Sequence, residues 1–338
     1  MPKHRASGCL FGLALGDALG AATEFLSVDE ILRQFPPYGP QSPMGNPAKV
    51  TDDTQMTLAV GEALVAAARP LTAASLEPPL RRAFVEWWRS PDNNRAPGNT
   101  CLKACASLAS GKAWHQATVV NSKGCGANMR VATVGLLRSG KDGIDETTRA
   151  AIAQFQAALT HGHPTALAAS DLTAKTIADL VAGGTPLGLV ARLRDYAQSQ
   201  REVYHASWLG SLWEQFSANT PEEFITRGWD ECLEVLDRVE TALLVSDRDA
   251  DPCLATGEGW VAEEAFACGL LCFLLLPEEP VQALRRAAVT KGDSDSIACL
   301  CGAFAGAYHG ISAWSADWLL RIEYRERLAA LGNWWDED

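Results

Sequence analysis

"GCLFGLALGDALG", residues 8–20, is an apolar segment near the N-terminus that is rich in glycine. Glycines stand at every fourth position of this stretch: Gly8, Gly12, Gly16 and Gly20. In a helix this spacing places all four on one face, where the backbone of another helix can approach closely. A matching series of small residues stands near the other end of the chain: Ala298, Gly302, Gly306 and Gly310. We therefore predict that two small-faced helices pack against each other at the centre of the molecule.

Around these two segments, apolar residues recur mostly at spacings of three and four, and strict alternation is rare. Helices are predicted at residues 6–22, 54–68, 76–89, 100–110, 128–138, 147–159, 164–182, 187–200, 208–215, 222–239, 258–276, 280–288, 295–309 and 316–331. The proline-rich loop at residues 36–47 would leave an N-terminal piece too small for a core of its own. We therefore expect an all-α fold, with a single compact multi-helix domain over residues 1–338.

The composition excludes several classes of protein. The formal net charge of −12 argues against a nucleic-acid-binding surface, which normally has a basic face. The chain has no run of about 18 apolar residues, so no membrane-spanning helix is expected. The N-terminal segment has the basic start and apolar stretch of a signal peptide. However, Asp17 interrupts that stretch, and a cleaved leader has no use for a glycine face.

Ten cysteines lie along the chain: Cys9, Cys101, Cys105, Cys125, Cys232, Cys253, Cys268, Cys272, Cys299 and Cys301. Most stand in apolar helical segments, where a thiol packs as a small buried hydrophobic group. They lack the paired spacing and the histidine partners of a zinc site. We therefore predict reduced core thiols in a cytoplasmic protein.

Two adjacent acids open the segment "TDDTQMTLAV", residues 51–60. Asp52 and Asp53 lie between Thr51 and Thr54, at the start of a predicted helix. A single acid is enough for a helix cap, and Asp52 with Gln55 forms a plausible capping box. A second acid would complement the helix dipole, or the pair would belong to a metal site.

A second cluster of acids and hydroxyls precedes the C-terminal small-faced helix in "KGDSDSIACLCG", residues 291–302. Asp293 and Asp295 alternate there with serines, and Glu24 adds a third acid after the first glycine-faced helix. Carboxylates and hydroxyls without neighbouring cysteine or histidine suit Mg²⁺ or Mn²⁺ better than zinc. The spacing of Asp293 and Asp295 resembles the start of a calcium loop, but Ile297 and the missing downstream glycine and glutamate exclude an EF-hand.

Four segments, in their order and spacing, resemble the ADP-ribosylglycohydrolase family: "GCLFGLALGDALGAATEF", "TDDTQMTLAV", "GWVAEEAFACGLLCF" and "GDSDSIACLCGAFAGAYHG". The resemblance runs from about residue 6 to about residue 312. It implies an all-α fold with a binuclear Mg²⁺ or Mn²⁺ centre at the bottom of an ADP-ribose cleft. The metal ligands that it implies are Glu24, Thr51, Asp52, Asp53, Asp293, Asp295 and Ser296. The family usually has threonine at the last of these positions, and Ser296 keeps the hydroxyl.

The resemblance also implies a set of residues that bind the substrate. "SKGCGANMR", residues 122–130, is similar to the family's glycine-rich phosphate loop, although Cys125 stands where asparagine is usual. The residues of this loop that it places at the substrate are Gly124, Cys125, Gly126, Ala127, Asn128 and Met129. In "THGHP" it places His161 beside the substrate, and in "GEGWVAEEAF" it makes Trp260 a stacking surface. A plain glycine-rich turn and a core tryptophan are the alternatives.

The implied reaction is hydrolysis of the bond from the anomeric carbon of ADP-ribose to a protein side chain or a small acceptor. Glu24 is the expected acid/base group, and Asp295 is the alternative. Arginine is the leading acceptor, yet arginine-directed relatives carry an aspartate where this chain has Ala96, and Asp92 is the residue that could substitute for it. Two other hypotheses are a non-catalytic binding or structural relative and an immunity protein against an ADP-ribosylating toxin.

Overall fold

Helices account for almost all regular structure in the computed structural model, which describes residues 3–337. The α-helices of this range are α1 (Arg5–Gly20), α2 (Val28–Gln34), α3 (Asp52–Ala66), α4 (Ala73–Arg89), α5 (Asn99–Ala109), α6 (Trp114–Ala117), α7 (Ala132–Gly135), α8 (Ser139–Asp142), α9 (Glu146–Ala158), α10 (Pro164–Val181), α11 (Leu189–Gln200), α12 (Ala206–Leu209), α13 (Pro221–Val245), α14 (Cys253–Thr256), α15 (Ala262–Leu275), α16 (Pro280–Ala287), α17 (Ser294–His309), α18 (Ala316–Arg321) and α19 (Arg325–Asp336). Three short 3₁₀ helices add Cys125–Ala127, Leu212–Gln215 and Ile311–Ala313. Because residues 3–337 contain isolated β-bridges but no sheet, the expectation of an all-α fold is confirmed.

The two small-faced helices, α1 and α17, lie against each other in antiparallel orientation at the centre. A Cβ atom added at Gly12 would lie 2.2 Å from the carbonyl oxygen of Gly302, and one added at Gly302 would lie 2.0 Å from that of Gly12. At this separation only glycine leaves room for the facing backbone. The predicted contact is confirmed, and its direction brings the C-terminal end of α1 to the N-terminal end of α17, beside Ser294 and Asp295.

Of the helix predicted at 128–138, only Ala132–Gly135 is α-helical. Residues 128–131 form successive turns, and α-helical structure begins only at Ala132. The side chains of this segment bind distant partners: the Asn128 amide donates to the Ala262 carbonyl at 2.9 Å, and the Arg130 guanidinium donates to Gln156.

Three further helix predictions are corrected. The helix expected at 208–215 divides at Gly210, which has a φ of 54°, into α12 and the 3₁₀ helix Leu212–Gln215. The helix expected at 258–276 starts only at Ala262, because Gly257 and Gly259 have φ of 104° and 82°. The helix expected at 316–331 divides into α18 and α19, because Ala48 pairs with the intervening segment. The Ala48 N–H donates to the carbonyl of Arg321 at 2.8 Å, and Ala48 O accepts from the N–H of Glu323 at 3.0 Å.

The remaining expectations concern the burial of the cysteines and the absence of a membrane-spanning helix. All ten cysteines are buried, as their apolar surroundings predicted. Within residues 3–337, no helix has both the length and the apolar character that a bilayer crossing requires. The cytoplasmic location stays a prediction.

Candidate active site

Three chain segments meet at one end of the α1–α17 pair: the turn after α1, the start of α3 and the start of α17. Asp17, on the last turns of α1, holds the second segment in place. Its carboxylate accepts from the backbone N–H of Thr51 at 2.9 Å and from that of Thr54 at 3.0 Å, and the Thr54 hydroxyl donates to it at 2.5 Å. Asp17 is fully buried, and these hydrogen bonds hold the N-terminus of α3 beside α1.

The role of Asp17 was missed in the sequence, where it served only as an interruption of an apolar run. A lone acid on an otherwise apolar, glycine-faced helix was the available signal, because a buried carboxylate requires partners that donate hydrogen bonds to it. Its donors lie 34 and 37 residues along the chain, so no local pattern connects them.

The predicted acids converge on a common point. Carboxylate oxygens of Glu24, Asp293 and Asp295 lie within 4.8 Å of one another. Asp52 and Asp53 line the same cleft, and so does Ser296. Thr51 lies one step behind as the N-cap of α3, where its hydroxyl donates to Asp53 Oδ2 at 3.3 Å. The structure thus brings together acids from three segments that are distant along the chain.

The electrostatics of this cluster favour added positive charge. Burial, followed by the charge of Asp295, raises the pKa of Glu24 to about 9 and that of Asp52 to about 7. Burial and the neighbouring acids also raise the pKa values of Asp53 and Asp293 well above the usual range. A buried cluster of carboxylates stabilises a bound cation, because each carboxylate then lies close to an opposite charge.

The donor atoms fit a hard divalent cation. The oxygens that face the cleft come from carboxylates and from the Ser296 hydroxyl, which is the ligand type that Mg²⁺ and Mn²⁺ prefer. Asp53 Oδ1 is buried and accepts no hydrogen bond from the described protein atoms. Since a buried carboxylate oxygen normally has a partner, this orphaned atom is consistent with a ligand position.

The cleft above the acids encloses about 320 Å³. Of the predicted substrate-binding residues, those that line it are Gly124, Cys125, Gly126, Met129, His161 and Trp260. Two backbone bonds hold the glycine-rich loop in the wall: the Cys125 N–H donates to the Trp260 carbonyl at 3.1 Å, and the Ala262 N–H donates to that of Lys123 at 2.9 Å. Residues 124–126 therefore run beside the acids as part of the wall.

Two residues of the glycine-rich loop that were expected to bind substrate lie behind the wall of the cleft. Ala127 is completely buried, and its carbonyl accepts from the Gln156 amide at 3.0 Å. Asn128 is also buried, and it bonds to the Ala262 carbonyl. These contacts support the loop from behind, whereas the cleft-facing positions are Gly124, Cys125, Gly126 and Met129.

Cys125 sits in the wall as a thiol. Burial, together with the negative charges of Asp293 and Asp53, raises its pKa well above the ordinary value. A thiolate is the reactive form of cysteine, so this environment disfavours a nucleophilic role.

Asp92 is not among the residues that line the cleft. Its side chain is 55% exposed, with one oxygen 3.3 Å from the Tyr324 hydroxyl and the other 4.0 Å from the Arg95 guanidinium. Arg95 in turn pairs with Glu323. The part of this loop that reaches the cleft is residues 96–100, including Ala96.

An aromatic pair stands at the rim of the cleft. Trp260 stacks on Phe25, with ring centroids 5.6 Å apart and an interplanar angle of 13°. Phe25 is 66% exposed and has a φ of 65°, which is an uncommon conformation for a residue with a side chain. Phe25 was missed in the sequence, where only its position directly after Glu24 could have indicated it.

Comparison with known proteins covers the whole chain. A family model described as ADP-ribosylglycohydrolase matches residues 1–337. The ADP-ribosyl-[dinitrogen reductase] glycohydrolase of Rhodospirillum rubrum is 31% identical over 188 residues, which make up 53% of this chain and 58% of that protein. The ADP-ribosylarginine hydrolase Tri1 of Serratia proteamaculans is 25% identical over 97% of this chain and 78% of its own length.

The fold has a counterpart among solved structures. An ADP-ribosylglycohydrolase-related protein complex contains a chain with a TM-score of 0.66 at 23% identity, over 97% of this chain and 95% of that one. This likeness supports the all-α architecture, and the match of the family model extends over nearly every residue. The resemblance inferred from the four segments is therefore confirmed, and the chain belongs to the ADP-ribosylglycohydrolase family.

Proposed function

We propose that this protein is a divalent-metal-dependent hydrolase, which cleaves the glycosidic bond between ADP-ribose and a protein side chain or a small acceptor. The observation that carries the proposal is the convergence of acids from three distant segments on the floor of one cleft. The wall of that cleft is a glycine-rich loop, and its rim carries an exposed aromatic pair. Membership of the family supports the reaction class.

Two Mg²⁺ or Mn²⁺ ions are the proposed cofactors. The residues that would hold them are Glu24, Thr51, Asp52, Asp53, Asp293, Asp295 and Ser296. When bound, the ions would supply Lewis acidity and fix the orientation of oxygen groups on the ribose. Asp17 would have an indirect role, because it keeps the start of α3, with Asp52 and Asp53, against α1.

Glu24 is the proposed acid/base residue, and Asp295 is the alternative. Glu24 lies on the turn that follows α1, outside both pairs of aspartates, and is half-buried. A carboxyl group at this position can transfer a proton to or from the reacting groups, as in other glycoside hydrolyses.

The rest of the cleft would orient the ADP-ribosyl group. The glycine-rich loop at Gly124 and Gly126 is suited to a diphosphate, because a loop of small residues lets the anion approach the backbone. His161 lines the same wall, and the ring of Trp260 offers a partly exposed face at the rim. An aromatic surface of this kind binds planar groups by stacking.

Arginine is the leading candidate for the acceptor, since a relative that is 25% identical carries the name of an ADP-ribosylarginine hydrolase. The loop that would meet the acceptor has Ala96 at the cleft, and Asp92 points to Tyr324 and Arg95. A guanidinium is held most strongly by a carboxylate. Because Asp92 lies outside the cleft, we favour a weakened preference for arginine over recognition of arginine by Asp92.

The experiment is a comparison of conjugates in which ADP-ribose is linked to arginine, to serine or to a small acceptor. Release of free ADP-ribose would be followed with Mg²⁺ or Mn²⁺ present, for wild type and for Asp92→Ala. We expect release from more than one acceptor and no effect of Asp92→Ala. Strong, arginine-exclusive turnover that falls in Asp92→Ala would overturn the specificity argument. Absence of release from every conjugate would favour a non-catalytic binding role.

A further inference from the structure

A buried polar chain behind the glycine-rich loop runs from Arg130 through Thr160 to His161. The Arg130 guanidinium donates to the side-chain and backbone oxygens of Gln156, each at 2.8 Å. It also donates to Thr160 Oγ1 at 2.8 Å, and that oxygen lies 2.8 Å from His161 Nδ1. None of the four side chains is more than 1% exposed. Their polar atoms must therefore be satisfied within the protein.

The directions of these hydrogen bonds follow from the groups themselves. A guanidinium can only donate, so Thr160 Oγ1 accepts from Arg130 and its single hydroxyl proton remains to be placed. The two acceptors within reach are His161 Nδ1 at 2.8 Å and the Ala157 carbonyl at 3.4 Å. That carbonyl already accepts the backbone N–H groups of Thr160 at 3.0 Å and of His161 at 2.8 Å. Both of its lone pairs are therefore used, and the hydroxyl donates to Nδ1.

The imidazole then carries its proton on Nε2. Burial, followed by the charge of Arg130, lowers the pKa of His161 well below the usual value, so the ring is neutral and has a single N–H. A Cβ atom added at Gly124 would lie 3.4 Å from Nε2, and one added at Gly126 would lie 3.5 Å from it. The ring lines the cleft, and its Nε2 edge lies beside the glycine-rich loop.

We propose that Arg130 and Thr160 are positioning residues, which fix His161 in the Nε2–H tautomer and so present a hydrogen-bond donor to an anion at the glycine-rich loop. The opposite tautomer would direct a lone pair toward that anion and repel it. The identity of the anion as the diphosphate of ADP-ribose rests on the proposed function. The tautomer does not, because it follows from contacts within the protein alone.

The test is long-range ¹H–¹⁵N correlation NMR of the histidine ring nitrogens in the ligand-free protein, with the signals of His161 identified by their loss in His161→Gln. We expect Nε2 to be the protonated nitrogen in wild type. Thr160→Val removes the hydroxyl at nearly constant shape and should abolish the preference for one tautomer, whereas the conservative Thr160→Ser should restore it. A purely structural role for Thr160 would leave the tautomer unchanged.

Calorimetric titration with ADP-ribose completes the test. Loss of one hydrogen bond to an anion corresponds to about tenfold weaker binding by Thr160→Val, with Thr160→Ser close to wild type. An Nδ1–H ring in wild type would overturn the proposal, even if the valine variant fails to fold. An unchanged tautomer in Thr160→Val would also overturn it. If wild type does not bind ADP-ribose, the proposed function fails, while the nitrogen spectra still decide the tautomer.

Discussion

Substitution of Gly20 by alanine tests how the central helix pair controls the acid cluster. Gly20 is the last residue of α1. An added Cβ atom would lie 2.3 Å from the carbonyl oxygen of Ser294 and 2.5 Å from Asp295 Cα. All the nearest atoms belong to the backbone of α17, so no side chain can rotate to make room. The substitution must therefore move one helix relative to the other at the position of a proposed metal ligand.

The magnitude follows from those distances. Non-bonded heavy atoms settle at about 3.5 Å or more, so the two backbones must separate by about 1 Å. Overpacking of this kind destabilises a fold by about 1–3 kcal/mol. A displacement of about 1 Å in a catalytic group lowers turnover by about 100-fold. Gly20→Ala should therefore have a lower free energy of unfolding and a lower turnover than wild type.

The assay pairs denaturant unfolding with measurements of turnover and Mn²⁺ affinity. Gly140→Ala is the matched control, because Gly140 lies in α8 and an added Cβ would have no atom of another segment within 4 Å. In the control, alanine should raise stability by up to about 1 kcal/mol and leave turnover unchanged. The reasoning is refuted if Gly20→Ala is as stable and as active as wild type.

Three other predictions concern individual side chains. Asp53→Asn and Asp293→Asn should each lower turnover by at least about 100-fold while circular dichroism stays that of wild type, because both act on the proposed metal site; wild-type turnover in either variant would remove that residue from the ligand set. Cys125→Ser should stay active and wild type should resist thiol alkylation, since burial keeps Cys125 protonated; sensitivity to alkylation together with an inactive serine variant would indicate a covalent route. Asp171 accepts from Gln154 at 3.0 Å and from the Tyr196 hydroxyl at 2.8 Å, and burial raises its pKa to about 6. A raised carboxyl pKa stabilises the fold below the unfolded pKa of about 4, and this contribution is lost as pH rises through about 6. The excess of the unfolding free energy of wild type over that of Asp171→Asn should therefore fall by about 2 kcal/mol between about pH 4 and pH 7; a difference independent of pH would show an ordinary pKa for Asp171.

The central helix pair was predictable because the fourfold spacing of small residues is a local pattern, and its meaning depends only on helix geometry. The acid segments were also recognisable, since Asp52, Asp53, Asp293 and Asp295 stand in short motifs whose order resembles a family. The structure shows that the three segments meet because α1 and α17 are antiparallel and because Asp17 binds the start of α3.

The features that the sequence did not reveal depend on contacts between distant segments. The break before α19 follows from the pairing of Ala48 with Arg321 and Glu323, which no helical pattern contains. The turns at 128–131 carry side chains that bind Gln156 and Ala262. The position of Asp92 depends on Tyr324 and on the pair of Arg95 with Glu323. Each of these partners lies far along the chain, so local propensity could not identify it.

The central claim is that the converged acids act through bound divalent ions to release ADP-ribose. The most direct measurement is the release of free ADP-ribose from a mono-ADP-ribosylated substrate by the same protein sample, before chelation, after exhaustive chelation and after addition of Mg²⁺ or Mn²⁺. We expect release before chelation, no release after it, and recovery on addition of metal, with two ions bound per chain. Full turnover by the metal-free protein would contradict it.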